Sequence, residues 1–563
     1  MKMSGGRAAV EALRAAGVHT IFGLMGSSTL DMYDALYDAK DIRHIGVRDE
    51  KAGTHMADAF ARVTGQPGIM IAGQSGPGAT NLVTGLAQAY LAYSPIVVIT
   101  GLPLTQHAGK DSFQEIDQHT LFLPVTKRVF DVPTAKRIPE LILEAMRIAN
   151  SGRRGPVLLN IPRDLFAEQV DVQIAPHANN VVKAGHLDRQ TIAQVKALLL
   201  SARAPALIVG AGVKWERGHA EVLRLAEKLS LPIAASSGHG DAVPNDHPLY
   251  FGYAGPAPYG NPVARELVHG ADVIVALGTR LGFSTSMYGN EVIPIGAKII
   301  QVDIDAGAVG KYYPVEIGVA GDATSFASCL ADNVSSEELK AIRWRDRIGA
   351  LRKLWDELWR ERERLAGQTV TPLTPDQIFG EIRKVIPRNA IIALDSGTLC
   401  RQAADQLQYF EPPALLTPLD FALVGFGYAA GLGAKVAAPG RPVISMAGDG
   451  GFGMTVMEIC TAVQSGINAI GIVLDNECWG SEKAYQRDFY NGRYIAESII
   501  SPRYDVVARS CGAEGYFAAK PGELAEALSL ALKADKPAVI HVKVDPEAIV
   551  SSRKDALKHR IST

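Results

Sequence analysis

The sequence predicts an α/β protein of three consecutive open parallel-sheet domains, and three observations carry that expectation. Short apolar runs without internal alternation, the pattern of strands buried on both faces, recur between amphipathic stretches of helical period. Two stretches that break this rhythm, over 176–186 and 336–366, divide the elements into three blocks. A chain of 563 residues has room for about three domains at roughly 150 residues each.

The first block, 1–175, opens on a helical pattern over 8–16. It alternates strands over 68–72, 96–100 and 156–160 with helices such as 138–148, and closes at Ile161-Pro162-Arg163-Asp164. Strand runs over 206–210, 273–277 and 298–303 mark a central block, 186–335, after a linker over 176–186. Residues 336–369 form a connector, whose Glu-, Arg-, Lys- and Leu-rich part is expected to be a solvated helix. The third block, 370–548, places strands over 441–446 and 467–474 around a helix over 455–463. A basic tail, 549–563, carries Arg553, Lys554, Lys558 and Arg560; it could close over a site as a lid, or simply fray.

Composition narrows the function classes. An apolar fraction of 47% and a charged fraction of 21% describe a soluble globular enzyme. Lys+Arg 57 against Asp+Glu 59 leaves no basic field for nucleic acid. No apolar stretch is long enough to span a membrane, and the first residues lead straight into a helix with no secretory h-region. The cysteines, Cys329, Cys400, Cys460, Cys478 and Cys511, show no metal-ligand spacing, so reduced thiols in a cytoplasmic protein are expected.

The most informative stretch is Gly448-Asp449-Gly450-Gly451, followed after an apolar segment by Asp475-Asn476-Glu477-Cys478-Trp479-Gly480. The glycines fall where a strand ends, so backbone can approach phosphate oxygens there. Asp449 and Asn476 are hard oxygen ligands, suited to Mg²⁺ or Ca²⁺ bridging a diphosphate. Alone, Gly-Asp-Gly is an ordinary strand-to-helix turn, and a glutamate in a first turn, such as Glu50, is an ordinary favourable charge on a helix dipole.

The spacing resembles the cofactor signature of thiamine-diphosphate enzymes, whose fold has pyrimidine-binding, central and diphosphate-binding domains. The resemblance implies Mg²⁺ held by Asp449, Asn476 and the Cys478 carbonyl, with Gly448, Gly450, Gly451, Trp479 and Gly480 around the diphosphate. It departs at Asp475, where the family usually has Asn. Arg48-Asp49-Glu50, opening the helix that contains His55-Met56-Ala57, resembles the acetohydroxyacid synthase segment whose glutamate activates the aminopyrimidine; Glu50 aligns with it. Gly73-Gln74-Ser75-Gly76-Pro77-Gly78-Ala79-Thr80-Asn81 matches the family's Ser-Gly-Pro-Gly-x-Thr-Asn loop and implies cofactor contacts from Gln74 and Asn81. Asp395-Ser396-Gly397-Thr398-Leu399 looks like a diphosphate loop, and Ala422-Leu423-Val424-Gly425 like the segment that bends the cofactor, with Val424 as wedge and Ala422 offering its carbonyl.

Substrate signals point in more than one direction. Phe113-Gln114-Glu115 resembles the substrate-facing segment of acetohydroxyacid synthases, so Phe113, Gln114, His55 and Glu482 stand as substrate-side catalytic candidates beside Glu50. The synthases' flavin element is missing from Gly278-Thr279-Arg280-Leu281-Gly282, which makes FAD an unexpected ligand. The replacement is nearer oxalyl-CoA decarboxylases and 2-hydroxyacyl-CoA lyases, implying ADP or the CoA moiety against Arg280, Asp303 and Ile304, or else a vestigial site. Trp479-Gly480-Ser481-Glu482-Lys483 and Asp488-Phe489-Tyr490-Asn491-Gly492-Arg493-Tyr494 resemble sulfoacetaldehyde acetyltransferases. There Lys483, Arg553 and Lys554 would meet a substrate anion; equally, Glu482 and Lys483 could be a helix-start ion pair.

The expectation drawn from these signals is a thiamine-diphosphate carbon-carbon lyase or carboligase acting on a small molecule. A 2-hydroxyacyl-CoA lyase releasing formyl-CoA is narrowly preferred. A sulfoacetaldehyde acetyltransferase forming acetyl phosphate and sulfite follows, then an acetolactate synthase; a non-catalytic binding subunit is the alternative of another class. The resemblance implies a homodimer at least, and a homotetramer as the fuller assembly.

Overall fold

The structure, a computed structural model, describes residues 2–174, 188–551 and 557. The linker expected over 176–186 and the tail residues Arg553 and Lys554 lie outside the described residues. Three six-stranded parallel sheets follow one another along the chain. The first contains Thr20–Leu24, Arg43–Gly46, Gly68–Ala72, Ile96–Leu102, Arg128–Asp131 and Val157–Pro162. The second runs from Pro205–Val209 to Ile317–Ala320, and the third from Ile391–Leu394 to Ala538–Lys543.

Numbering strands within each sheet, the first and third share the order 2-1-3-4-6-5, whereas the central sheet is 3-2-1-4-5-6. Identical topology in the outer domains accounts for their similar rhythm in the sequence. In each order the strand sequence reverses beside strand 1, opening a crevice at the carboxyl ends of the strands. The chemistry-bearing loops sit there: 395–399 and 448–451 in the third domain, 73–76 in the first, and 210–212 with 278–280 in the centre.

The Glu50–Thr64 helix packs lengthwise on the Gly427–Ala437 helix, joining first and third domains into one apolar core that includes Met56, Ala57, Tyr428 and Ala429. Glycine permits the approach: a Cβ at Gly433 would lie 2.1 Å from the Met56 carbonyl oxygen. The connector is a helix with the expected solvated face, and it also has a narrow buried one. Its Arg345–Ala366 helix buries Leu351 and Trp355, and Trp355 meets Tyr250 and Phe251 edge-on at 6.1 and 6.2 Å. Charge dominates its composition, but the apolar residues share one face.

In the third domain the strand is Val443–Gly448, later than expected, and the following helix is split into Asp449–Gly453 and Glu458–Ser465. The consequence is local: Asp449 begins a helix where the strand stops.

Candidate active site

Loops at the ends of three strands, Ile391–Leu394, Val443–Gly448 and Ile470–Asp475, build a cavity of about 180 Å³ in the third domain. Its walls are 396–400, Ala422, Val424, 448–451, Asn476 and 478–482, so the separately recognised sequence segments converge. Glycine keeps the floor thin: a Cβ on Gly450 would stand 2.7 Å from the Trp479 ring, and one on Gly451 3.2 Å from Val424 Cγ1. Gly397 has a φ of +120°, open to glycine and hostile to other residues.

Asp449 is buried, and burial, helped by the neighbouring Asp475 carboxyl, drives its own carboxyl well above the usual range, against the hydrogen bond that Ser501 Oγ donates to Oδ2 at 2.8 Å. Tyr504 fixes the same residue by donating from its hydroxyl to the Asp449 carbonyl at 2.9 Å. The Cys478 carbonyl stays outside the short antiparallel bridge beside it, because Trp479 N–H donates to Glu497 O and Ile499 N–H to Glu477 O. A desolvated carboxylate, the Asn476 amide and the backbone carbonyl of the lining residue Cys478 are a donor set that fits a hard divalent cation, and the glycine floor fits a diphosphate.

Asp475, the departure from the family pattern, interacts with the Asp449 carboxyl on one side and with two basic side chains on the other. Burial disfavours its charge, but bonds from His541 Nε2 at 2.7 Å and Lys543 Nζ at 2.9 Å outweigh that and hold the carboxyl far below the usual range. Ser501, Tyr504, His541 and Lys543 were not legible as site residues; each lies far along the chain and belongs to no short motif.

Glu50 lies elsewhere in the monomer, in the first domain's crevice. Asp49 caps its helix by accepting the N–H groups of Lys51 and Ala52, which leaves Glu50 in the first turn. Glu50 is 3% exposed; burial raises its carboxyl, and Asn81 Nδ2, donating to Oε2 at 3.0 Å, opposes the rise. Gln74 accepts from Ser27 Oγ at 3.0 Å on the neighbouring loop. Gln114 has a φ of +61°, and Phe113 is 81% exposed.

Two expected substrate contacts are placed differently. His55 is fully buried between the Glu50 and Gly427 helices, edge-on to Phe426 at 5.4 Å, and neither ring nitrogen has a hydrogen-bond partner among the described residues. Burial lowers it to about 3, so it packs there as a neutral ring. Lys483 turns from the cavity to pair with Glu547 at 2.7 Å, while Glu482 lines the cavity wall.

A second cavity, of about 290 Å³, opens at the central sheet's crevice. Arg280, Asp303 and Ile304 all line it, together with Tyr93 and Arg153 from the first domain.

Three family models match in the order of the three sheets. The N-terminal TPP-binding domain of thiamine pyrophosphate enzymes matches residues 3–121, their central domain 192–330 and their C-terminal TPP-binding domain 395–542. The chain belongs to the thiamine pyrophosphate enzyme family. Among curated relatives, a sulfoacetaldehyde acetyltransferase of Alcaligenes xylosoxydans xylosoxydans is 36% identical across 99% of this chain and 95% of its own. A probable acetolactate synthase large subunit of Methanocaldococcus jannaschii is 34% identical across 97% and 92%. A solved thiamine-diphosphate-dependent 4-hydroxybenzoylformate decarboxylase from Rhodococcus jostii RHA1 shares the fold at a TM-score of 0.82, with 24% identity across 96% of this chain and 99% of that one. Two of the three matched models are TPP-binding domains, and the Asp449 cavity lies within the C-terminal one. Among the described residues no helix is long and apolar enough to cross a membrane.

Proposed function

We propose that this thiamine pyrophosphate enzyme is an acyl-forming transferase of the sulfoacetaldehyde acetyltransferase type, converting a sulfonated two-carbon aldehyde and phosphate to acetyl phosphate and sulfite. The observation that carries it is Glu482 on the cofactor cavity wall, within the 479–494 segment that resembles those enzymes. Full-length similarity to sulfoacetaldehyde acetyltransferases adds support. The narrow preference for a 2-hydroxyacyl-CoA lyase gives way, since it rested on the missing flavin element, the 278–282 segment and a basic tail, whereas similarity over the full length is to sulfoacetaldehyde acetyltransferases. Acetolactate synthesis is the second reading, favoured by full-length similarity to synthase large subunits.

Bound thiamine pyrophosphate supplies an electron sink for cleaving a bond next to a carbonyl carbon. The residues of this chain then have distinct duties. Asp449, Asn476 and the Cys478 carbonyl would hold Mg²⁺ against the diphosphate; Val424 would press the cofactor into its bent shape beside the Ala422 carbonyl. Glu50 would hold and return a proton at its carboxylate, and Glu482 would orient substrate. Gln114 and Phe113 would shield the site from water. Arg280, Asp303 and Ile304 suit an ancillary organic phosphate such as ADP.

We also infer that a second copy of the chain completes each site. Glu50 is not among the residues lining the Asp449 cavity, and apolar side chains stand exposed beside both halves: Met25 and Phe113 on one, Phe421 and Met454 on the other.

The test is product analysis of enzyme loaded with Mg²⁺ and thiamine pyrophosphate. Sulfoacetaldehyde with phosphate should give acetyl phosphate and sulfite. Acetolactate from pyruvate, or formyl-CoA from a 2-hydroxyacyl-CoA, with no sulfite in the first reaction, would sink the proposal.

A further inference from the structure

One turn of chain borders both cavities. Asp420 lines the central cavity, while Ala422 and Val424, on the same turn, line the cofactor cavity. The turn is anchored on each side. Towards the centre, Arg280 Nη2 lies 3.7 Å and His239 Nε2 4.0 Å from Asp420 Oδ1, and Ser284 Oγ donates to the Leu419 carbonyl at 3.2 Å. Towards the cofactor, buried Asp395 accepts the N–H groups of Gly425 and Gly427 at 3.0 and 2.9 Å. Between these anchors Ala422 sits at a φ of +62°, a left-handed conformation that a residue with a Cβ keeps only when its surroundings impose it. A turn so constrained transmits displacement from one end to the other.

The central end is built to be displaced. Arg153 and Arg280 both stack on the Tyr93 ring, at 4.1 and 4.7 Å. Each is only loosely paired with a carboxylate, Arg153 with Asp305 at 3.3 Å and Arg280 with Asp420 at 3.7 Å. Two guanidinium groups on one aromatic platform, with further rings from Tyr288 and Tyr312 on the wall, suit a phosphate attached to a planar ring. Such a phosphate would compete with Asp420 for Arg280. Asp420 is half-buried, its side chain 16% exposed, and Arg62 and Arg280 are the cations that chiefly compensate its charge.

We propose that an organic phosphate in the central cavity and thiamine pyrophosphate in the third domain oppose one another through the 417–424 turn. Drawing Arg280 to the phosphate leaves Asp420 under-compensated, loosens the turn and withdraws Ala422 and Val424 from the cofactor wall. This rests on the assignment of the Asp449 cavity to thiamine pyrophosphate and adds a regulation of that site. Linkage makes the effect reciprocal: the cofactor weakens phosphate binding by the same factor.

The test is calorimetric titration of thiamine pyrophosphate into the full chain with Mg²⁺, with and without saturating ADP, for wild type and Asp420→Asn. ADP should raise the wild-type Kd about 5-fold or more and leave Asp420→Asn within about twofold. ADP also carries a diphosphate, but direct competition at the Asp449 cavity survives Asp420→Asn, so equal weakening in both proteins overturns the proposal. An unchanged wild-type Kd overturns it too, as does failure of ADP to bind the cofactor-free protein. Failure of thiamine pyrophosphate to bind any form instead removes the assignment of the Asp449 cavity. Should Asp420→Asn not fold, Arg280→Gln serves: it should mimic the phosphate-bound state, with a raised Kd that ADP no longer changes.

Discussion

Asn81 Nδ2 donates to Glu50 Oε2 at 3.0 Å, in a crevice where burial otherwise raises the glutamate's affinity for a proton. The bond favours the charged carboxylate, so removing it raises the Glu50 pKa further. Asn81→Ala should therefore move the acid limb of the kcat/KM profile to higher pH. Glu50→Gln, which cannot exchange a proton, should lose about 100-fold or more in kcat with cofactor binding retained. Full turnover by Glu50→Gln would revive the alternative of a non-catalytic binding subunit.

The glycine floor of the Asp449 cavity gives a second expectation. A Cβ at residue 450 must displace the Trp479 ring 2.7 Å away, so Gly450→Ala should weaken thiamine pyrophosphate binding by about tenfold, equivalent to ~1.4 kcal/mol. Titration calorimetry checks it, and unchanged affinity would show that Trp479 yields freely.

The helix pair joining the first and third domains should be less forgiving. The 2.1 Å approach of a Gly433 Cβ to the Met56 carbonyl meets backbone, which cannot rotate aside. Gly433→Ala should destabilise the chain by about 3 kcal/mol or more, read as a lower midpoint in denaturant unfolding.

Much of this was legible beforehand because it is local in sequence. Strand 68–72 and the turns at Gly448 and Gly278 follow from apolar runs ended by glycine, and the Asp449 to Gly480 segment names its own chemistry. The rest depended on long-range packing. His55 sits beside Met56 in a promising segment, yet Phe426, far along the chain, encloses it. Lys483 is diverted by Glu547, and Ser501 reaches Asp449 only after the chain has folded back. The connector's buried face was hidden by its charge, since Leu351 and Trp355 matter only once the helix is wound.

Glu458 offers a stability test away from the Asp449 cavity. It is buried, accepts the Arg48 N–H at 3.0 Å, and burial pushes its carboxyl up to about 7. A raised carboxyl favours the folded state fully below its unfolded value near 4.5, and that advantage is lost as pH rises through about 7. Glu458→Gln does not titrate, so its stability relative to wild type should climb by about 2 kcal/mol from pH 5 to 7.5. A difference independent of pH across that window would mean that Glu458 is already charged in the folded protein.

If Glu50 of one copy serves Asp449 of another, two inactive variants should repair each other. Glu50→Gln and Asp449→Ala chains, unfolded together and refolded as a mixture, would form hybrid dimers with one intact site each. Acyl transfer should return to roughly one quarter of the wild-type rate, the value for random pairing with one good site per hybrid. No recovery from a mixture shown to contain hybrids would place both residues' work within a single chain and contradict the shared site.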